Sequence, residues 1–166
     1  MFELKPLSVQ ALESAVAKAE RYRLLNEPAE AESICRDILD VDADNQAALR
    51  MLTLALTDQI PAERDAFQEA VTAANRLADA YERVYYAGIA WERRAKARHE
   101  QGGRGCHHAV HDWIYRAMDH YAQAEALRPA GNDDSLLRWN TCVRFLHKHP
   151  QYAEVDHDLS EPLMLE

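Results

Sequence analysis

The sequence predicts an all-α fold built from stacked helix pairs, and three observations support this prediction. First, one spacing of small and bulky apolar residues occurs three times, beginning at Ala15, Leu49 and Val84. These starting points are 34 and 35 residues apart, a period typical of two-helix units that bury their apolar faces only by stacking. Second, the 166 residues include only 5 Gly and 6 Pro, so few positions oppose helix formation. Third, no segment alternates β-branched and polar residues at period two, as strands do.

Length and charge narrow the classes of function. The chain is 48% hydrophobic and 28% charged, which is ordinary for a single globular domain. Its net charge of −9 repels the negatively charged phosphate backbone of nucleic acids, so we expect no nucleic-acid partner. No stretch approaches 18 uninterrupted apolar residues and no apolar leader follows Met1, so we expect no membrane partner and a cytoplasmic location. The three cysteines lie far apart, which favours a reducing compartment.

Turn and capping residues divide the chain into seven predicted helices. They cover about Val9 to Leu24, Pro28 to Leu39, Asn45 to Asp58, Ala62 to Leu77, Asp79 to His99, Cys106 to Leu127 and Ser135 to His147. Ser8 is suited to cap the first helix, and the Gly-rich segment 101–105 to separate the fifth from the sixth. The break near Ala78 has neither Gly nor Pro and is placed only by the repeat spacing, so one bent helix is the alternative there.

The second helix of each pair carries a pattern of small residues. Four residues, most of them small, recur in each of these helices and the turn after it, at spacings of four, three and five positions. The three registers are Ala31, Cys35, Ile38, Ala43; Ala66, Ala70, Ala73, Ala78; and Ala117, Tyr121, Ala124, Pro129. With this pattern, residues 12–146 resemble the tetratricopeptide repeat (TPR) family, although only the third register has the family's usual aromatic residue and proline. The resemblance implies a right-handed α-solenoid of three helix-turn-helix repeats plus a C-terminal capping helix.

We predict a TPR-like domain over residues 1–150 and an extended acidic tail over residues 151–166. Trp91 and Ala117 lie 26 positions apart, whereas Tyr22 and Ala31 of the first repeat lie nine apart. The third hairpin is therefore expected to be extended over about residues 92–112, by roughly 10 Å at 1.5 Å per residue. This arm could serve as a homodimer contact. We expect the apolar tail end, residues 163–165, to fold into the groove of its own chain or of a neighbour.

The resemblance also implies a partner-binding groove lined by the first helix of each pair, which in the family holds an extended peptide or a helix. The matching positions are Val16, Glu20, Arg23, Arg50, Met51, Leu54, Tyr85, Tyr86, Ile89 and Arg93. Some members grip a C-terminal carboxylate with Lys and Asn, but Val16 and Glu20 occupy those positions here, which excludes that clamp. The apolar centre favours an apolar or aromatic anchor on the partner, although the same residues could simply pack neighbouring helices. We predict a non-catalytic protein-interaction module, an adaptor or scaffold without a cofactor.

A histidine- and cysteine-rich segment supports an alternative function. It contains His99, Cys106, His107 and His111. His107 and His111 are four positions apart and share one helix face, while His99 or Cys106 could supply a third ligand. Zn²⁺ accepts these ligands, so a metal-binding protein or metal-dependent enzyme is the second hypothesis. The HExxH motif is absent, and a metal-free cluster of surface histidines is the competing interpretation.

Overall fold

The computed structural model describes residues 2–153, and this part of the chain consists of helices joined by turns and irregular segments, without strands. Its elements are α1 (Leu12–Leu24), α2 (Pro28–Val41), α3 (Gln46–Gln59), α4 (Ala66–Asn75), α5 (Ala80–Gln101), α6 (Cys106–Leu127) and α7 (Asp134–Lys148), with short 3-10 helices at Val9–Ala11 and Pro150–Tyr152. The all-α prediction is confirmed for this range. Residues 154–166, which contain the predicted apolar tail end, lie outside the described residues. Between residues 2 and 153, no helix combines the length and apolar character needed to cross a membrane.

Capping residues set several of the helix starts. The side chain of Asn45 accepts a hydrogen bond from the Ala48 amide at 3.0 Å, and that of Asp79 accepts one from the Glu82 amide at 2.8 Å. These contacts satisfy amides that have no partner within the first turn of a helix. The break between α4 and α5 is therefore confirmed, although α4 ends at Asn75, two residues before the predicted limit.

Two predicted helix starts differ from the structure by more than one residue. Ser8 makes no capping hydrogen bond, because a 3-10 turn follows it and α1 begins only at Leu12. The fourth helix begins at Ala66, four residues later than expected. The amides of Ala62 and Glu63 both bond to the carbonyl of Gln59 at 2.9 Å, which holds this segment in a turn.

Each helix packs against the next one along the chain, and alternate helices also meet. α3 contacts α1 and α5 in addition to its sequence neighbours α2 and α4. Small residues dominate the cluster that joins α1 to α5, which includes Ala19, Ala31, Cys35, Ala55, Ala70, Ala73 and Ala90. A second cluster joins α5, α6 and α7 around larger residues, including Ile89, Ile114, Tyr121, Cys142 and Leu146.

The third hairpin is longer than the first, as predicted. α5 and α6 have 22 residues each, whereas α1 and α2 have 13 and 14. The C-terminal end of α7 and the following turn pack against this hairpin. Tyr152 is 6% exposed, its ring lies parallel to that of Phe145 at 6.0 Å, and its hydroxyl lies 2.8 Å from Nδ1 of His99. The packed part of the chain therefore extends past the predicted boundary at residue 150.

A close approach between α5 and α6 requires a glycine. A Cβ atom at Gly88 would lie 2.8 Å from Cε1 of Tyr121 and 3.1 Å from Cβ of His120. Tyr121 is 1% exposed, and its hydroxyl donates a hydrogen bond to Glu92 at 2.6 Å. Because the ring is enclosed and held at its far end, it has little room to move away. The separation of the two helices therefore depends on Gly88.

We expect Gly88→Ala to lower the free energy of unfolding by about 1–2 kcal/mol, because the cost of overpacking exceeds the gain in helix propensity of about 1 kcal/mol. Urea denaturation of the full chain measures this change. The matched control is Gln123→Ala at an exposed position of α6, which should stay within about 0.5 kcal/mol of the unsubstituted protein. Equal or higher stability of Gly88→Ala would contradict the close approach.

Candidate functional site

Ion pairs join α1, α3 and α5 along one surface, termed here the α1–α3–α5 face. Asp58 on α3 lies between two arginines. Its Oδ2 is 2.7 Å from Nε of Arg23 on α1, and its Oδ1 accepts a hydrogen bond from Nη2 of the same arginine at 3.4 Å. Oδ1 is also 3.4 Å from Nη1 of Arg93 on α5. Nη1 of Arg50 on α3 donates to both oxygens of Glu82 on α5 at 3.1 and 3.0 Å. Such partly exposed pairs add little stability, but they link side chains of the three helices.

A strip of aromatic and aliphatic side chains lies beside these ion pairs. The rings of Tyr81 and Tyr85 stack with centroids 5.5 Å apart, and Tyr86 meets Tyr85 edge to face at 5.3 Å. Leu54, Tyr85 and Tyr86 pack on the second core cluster and remain partly exposed. Burial raises the pKa of Tyr85 and Tyr86, so both hydroxyls are protonated at neutral pH. The strip therefore offers apolar surface with a few fixed polar groups.

The predicted groove residues lie on α1, α3 and α5, and the structure changes the expectation for four of them. Ile89 is 2% exposed and belongs to the core, so its predicted contact with a partner is wrong. Arg23, Arg50 and Arg93 are all paired with carboxylates. Their positive charges are therefore already balanced within the chain and attract an anionic ligand less strongly. The remaining predicted residues are at least partly exposed, namely Val16, Glu20, Met51, Leu54, Tyr85 and Tyr86.

A buried carboxylate at the interface of α5, α6 and α7 was not recognisable from the sequence. Glu92 is 1% exposed. Its Oε2 accepts a hydrogen bond from the Tyr121 hydroxyl at 2.6 Å, its Oε1 accepts one from Nζ of Lys96, and Nη1 of Arg138 lies 3.7 Å from Oε1. The one sequence signal was the four-residue spacing of Glu92 and Lys96, which is equally common on exposed helix surfaces. Because a buried charge is costly unless it is paired, this network ties the three helices together.

A small cleft of about 250 Å³ adjoins the buried carboxylate. Its charged lining residues within residues 2–153 are Asp58, Glu92, Arg93, Lys96, Glu100 and Arg138. The cleft is smaller than ordinary small-molecule sites, which occupy roughly 300–1,000 Å³, and acidic and basic groups are equally numerous in it. It therefore forms a polar border of the α1–α3–α5 face.

The predicted metal ligands meet around Tyr152 instead of around a metal position. Nδ1 of His99 lies 2.8 Å from the Tyr152 hydroxyl, and Sγ of Cys106 lies 3.8 Å from it. Nδ1 of His111 donates to the Tyr152 carbonyl at 2.8 Å, and the ring of His107 lies 5.7 Å from the tyrosine ring. Among residues 2–153, no group of three His, Cys, Asp or Glu side chains is arranged to hold a metal ion. The predicted metal site is therefore not formed here, because tyrosine fills the space between its ligands.

Comparisons with known proteins give no match. This holds for protein-family models, for curated proteins and for solved structures. The resemblance to the tetratricopeptide repeat family therefore stays a prediction from the sequence pattern.

Removing the Tyr121 hydroxyl tests the network around Glu92. We expect Tyr121→Phe to lower the free energy of unfolding by about 1.5–3 kcal/mol at pH 7, because it removes a hydrogen bond to a buried charged group. Urea denaturation measures the loss. Tyr22→Phe is the control, since no hydrogen bond of the Tyr22 hydroxyl is formed within residues 2–153, and it should change stability by less than about 0.5 kcal/mol. Equal stability of the two variants would contradict the proposed role of the network in holding α5, α6 and α7 together.

The three cysteines should differ in reactivity. Burial raises the pKa of Cys35 and Cys142 to about 12, with smaller contributions from Glu32 and Glu92 respectively, whereas Cys106 is partly exposed. Because the thiolate is the reactive form, we expect about one thiol per folded chain to react with Ellman's reagent at pH 8, and all three in guanidinium chloride. Cys106→Ser should abolish the reaction of the folded protein. Two or more reactive thiols in the folded chain would contradict the burial of Cys35 and Cys142.

Proposed function

We propose that this chain is a TPR-like helical-repeat protein whose α1–α3–α5 face binds a segment of another protein. The observation that carries the proposal is the position of α3, which packs against α1 and α5 as well as its sequence neighbours. First helices of successive pairs pack side by side in this way in a solenoid. The repeats would be α1–α2, α3–α4 and α5–α6, arranged with a right-handed superhelical twist, and α7 would cap the last pair.

The chemistry of the face favours a partner that carries an apolar or aromatic anchor. Leu54, Tyr85 and Tyr86 supply partly exposed apolar surface. The ion pairs that link Asp58 to Arg23 and Arg93 lie along the same helices. A central apolar strip with a polar border is the usual arrangement of a protein-binding surface, in which a few anchors contribute most of the affinity.

The carboxylates at and beside the α1–α3–α5 face support a function without catalysis. A general base must reach the proton that it removes. Glu92 is buried and already accepts hydrogen bonds from Tyr121 and Lys96, while Asp58 is held by two arginines. These carboxylates therefore support the arrangement of the helices, and we assign the face a binding function.

Peptide selection against the full chain tests this function. We expect a random peptide library to yield ligands with an aromatic or large apolar residue, and we expect Leu54→Gln to weaken their binding about tenfold or more, as for an anchor contact. Leu127→Gln is the matched control, because Leu127 is 50% exposed on α6 and should leave the dissociation constant unchanged. Circular dichroism verifies that both variants are folded. Failure to select ligands, or equal binding to both variants, would contradict the proposed function.

A further inference from the structure

A second cavity lies where the α3–α4 turn meets α5 and α6. Its volume is about 530 Å³, which is within the usual range of ligand sites. Its largest aromatic and basic lining residues are Phe67, Trp113, Arg64, Arg94 and Arg98. We term it the Arg94 pocket. Among residues 2–153, its lining contains three arginines and one carboxylate, that of Glu63, so the charge of this lining is opposite to that of the chain as a whole.

Arg94 is positioned to bind a carboxylate. Its Cζ atom lies 4.1 Å from the centroid of the Phe67 ring and 4.0 Å from that of Trp113. Aromatic stacking fixes the guanidinium plane and leaves the N–H groups at its edge for an acceptor. Within residues 2–153, Arg94 forms no ion pair.

Positive charge continues from Arg94 onto α6. Cζ of Arg116 lies 4.9 Å from the ring of Trp91, and Phe67 meets the same ring edge to face at 4.7 Å. Burial and the neighbouring Arg116 lower the pKa of Arg94, so the two cations repel each other. Along the part of the chain that the structure describes, Arg116 also lacks an ion pair. An anionic ligand would relieve this repulsion.

We propose that the Arg94 pocket binds the C-terminal segment of the same chain, residues 154–166. This segment contains five acidic residues and neither Lys nor Arg, and it includes the apolar run Leu163-Met164-Leu165. Its carboxylates match the guanidinium edge of Arg94, and its apolar run matches the rings of Phe67 and Trp113. The α1–α3–α5 face suits this segment less well, because its arginines are already paired with carboxylates. The Arg94 pocket therefore replaces the groove as the expected site of the tail, independently of the partner proposed for the face.

The position of Ala153 allows the segment to reach the pocket. The carbonyl of Ala153 accepts a hydrogen bond from the Tyr115 hydroxyl on α6 at 3.3 Å. Trp113 is two residues away on the same helix, about 3 Å along its axis, and a helix with its side chains is about 10–12 Å wide. Residues 154–166 span up to about 43 Å when extended. The segment can therefore pass around α6 and still place acidic and apolar residues in the pocket.

Fluorine NMR of the full chain labelled with 5-fluorotryptophan tests the proposal. The three tryptophans give one resonance each, assigned by single Trp→Phe substitutions. Trp113 lines the pocket. Trp139 on α7 is partly buried against the second core cluster, does not line the pocket within residues 2–153, and serves as the internal reference. The neutralised variant replaces all five acidic side chains of the segment, by Glu154→Gln, Asp156→Asn, Asp158→Asn, Glu161→Gln and Glu166→Gln. We expect neutralisation to shift the Trp113 resonance and to leave that of Trp139 unchanged.

Two further arms identify the binding group and the source of the segment. In an Arg94→Gln background, neutralisation should no longer shift the Trp113 resonance. The control background is Arg21→Gln, at an exposed position of α1, in which the shift should persist. A synthetic peptide of residues 154–166, added to the neutralised chain, should restore the original resonance and should bind several-fold more weakly in 0.5 M NaCl. An unshifted Trp113 resonance, or a shift that persists in Arg94→Gln, would overturn the proposal. A shift that disappears on tenfold dilution would place the segment on a second copy and overturn the intramolecular form.

Discussion

Small side chains at the contacts between helices set the spacing on which the rest of the fold depends. Ala31, Ala55, Ala70 and Ala117 expose none of their surface, and Gly88 faces the ring of Tyr121. Where residues are this small, two helix backbones approach closely and the larger side chains beside them fill the remaining space. Bulkier residues at these positions would push neighbouring helices apart. α3 could then no longer pack against α1 and α5 at once, and the face shared by these helices would be divided.

Close packing at one of these contacts also determines where charge is buried. The hydroxyl of Tyr121 reaches Glu92 because α5 and α6 are so near each other, and Lys96 and Arg138 complete the surroundings of the carboxylate. A buried charge without such partners would cost several kcal/mol. The basic groups on this side of α5 are thereby paired. Arg94 is two residues after Glu92 on α5 and lies on a different side of the helix, where aromatic rings surround it. The two sides of the hairpin therefore differ in binding chemistry.

Helix number and several helix ends could be predicted from the sequence because their signals are local. Asn45 and Asp79 act as caps wherever a helix follows them, and the helical period does not depend on distant residues. The candidate site was predicted less well, because burial depends on contacts across the fold. Ile89 lies at a position that the TPR resemblance assigns to the groove, but the surrounding side chains bury it. Glu92 has the pattern of an exposed residue, and only the position of α7 reveals that it is buried. The histidines and Cys106 do lie near one another, but Tyr152, far along the chain, occupies the space between them.

Methyl NOESY spectra of the full chain test the central claim most directly, which is that α3 packs between α1 and α5. The first core cluster contains Leu52 and Ala55 on α3 together with Ala19 on α1 and Ala90 on α5. We predict cross-peaks from the α3 methyl groups to the methyl groups of both Ala19 and Ala90. Cross-peaks from α3 only to α2 and α4 would show that the helix pairs are not stacked side by side, and would contradict the shared face and the function proposed for it.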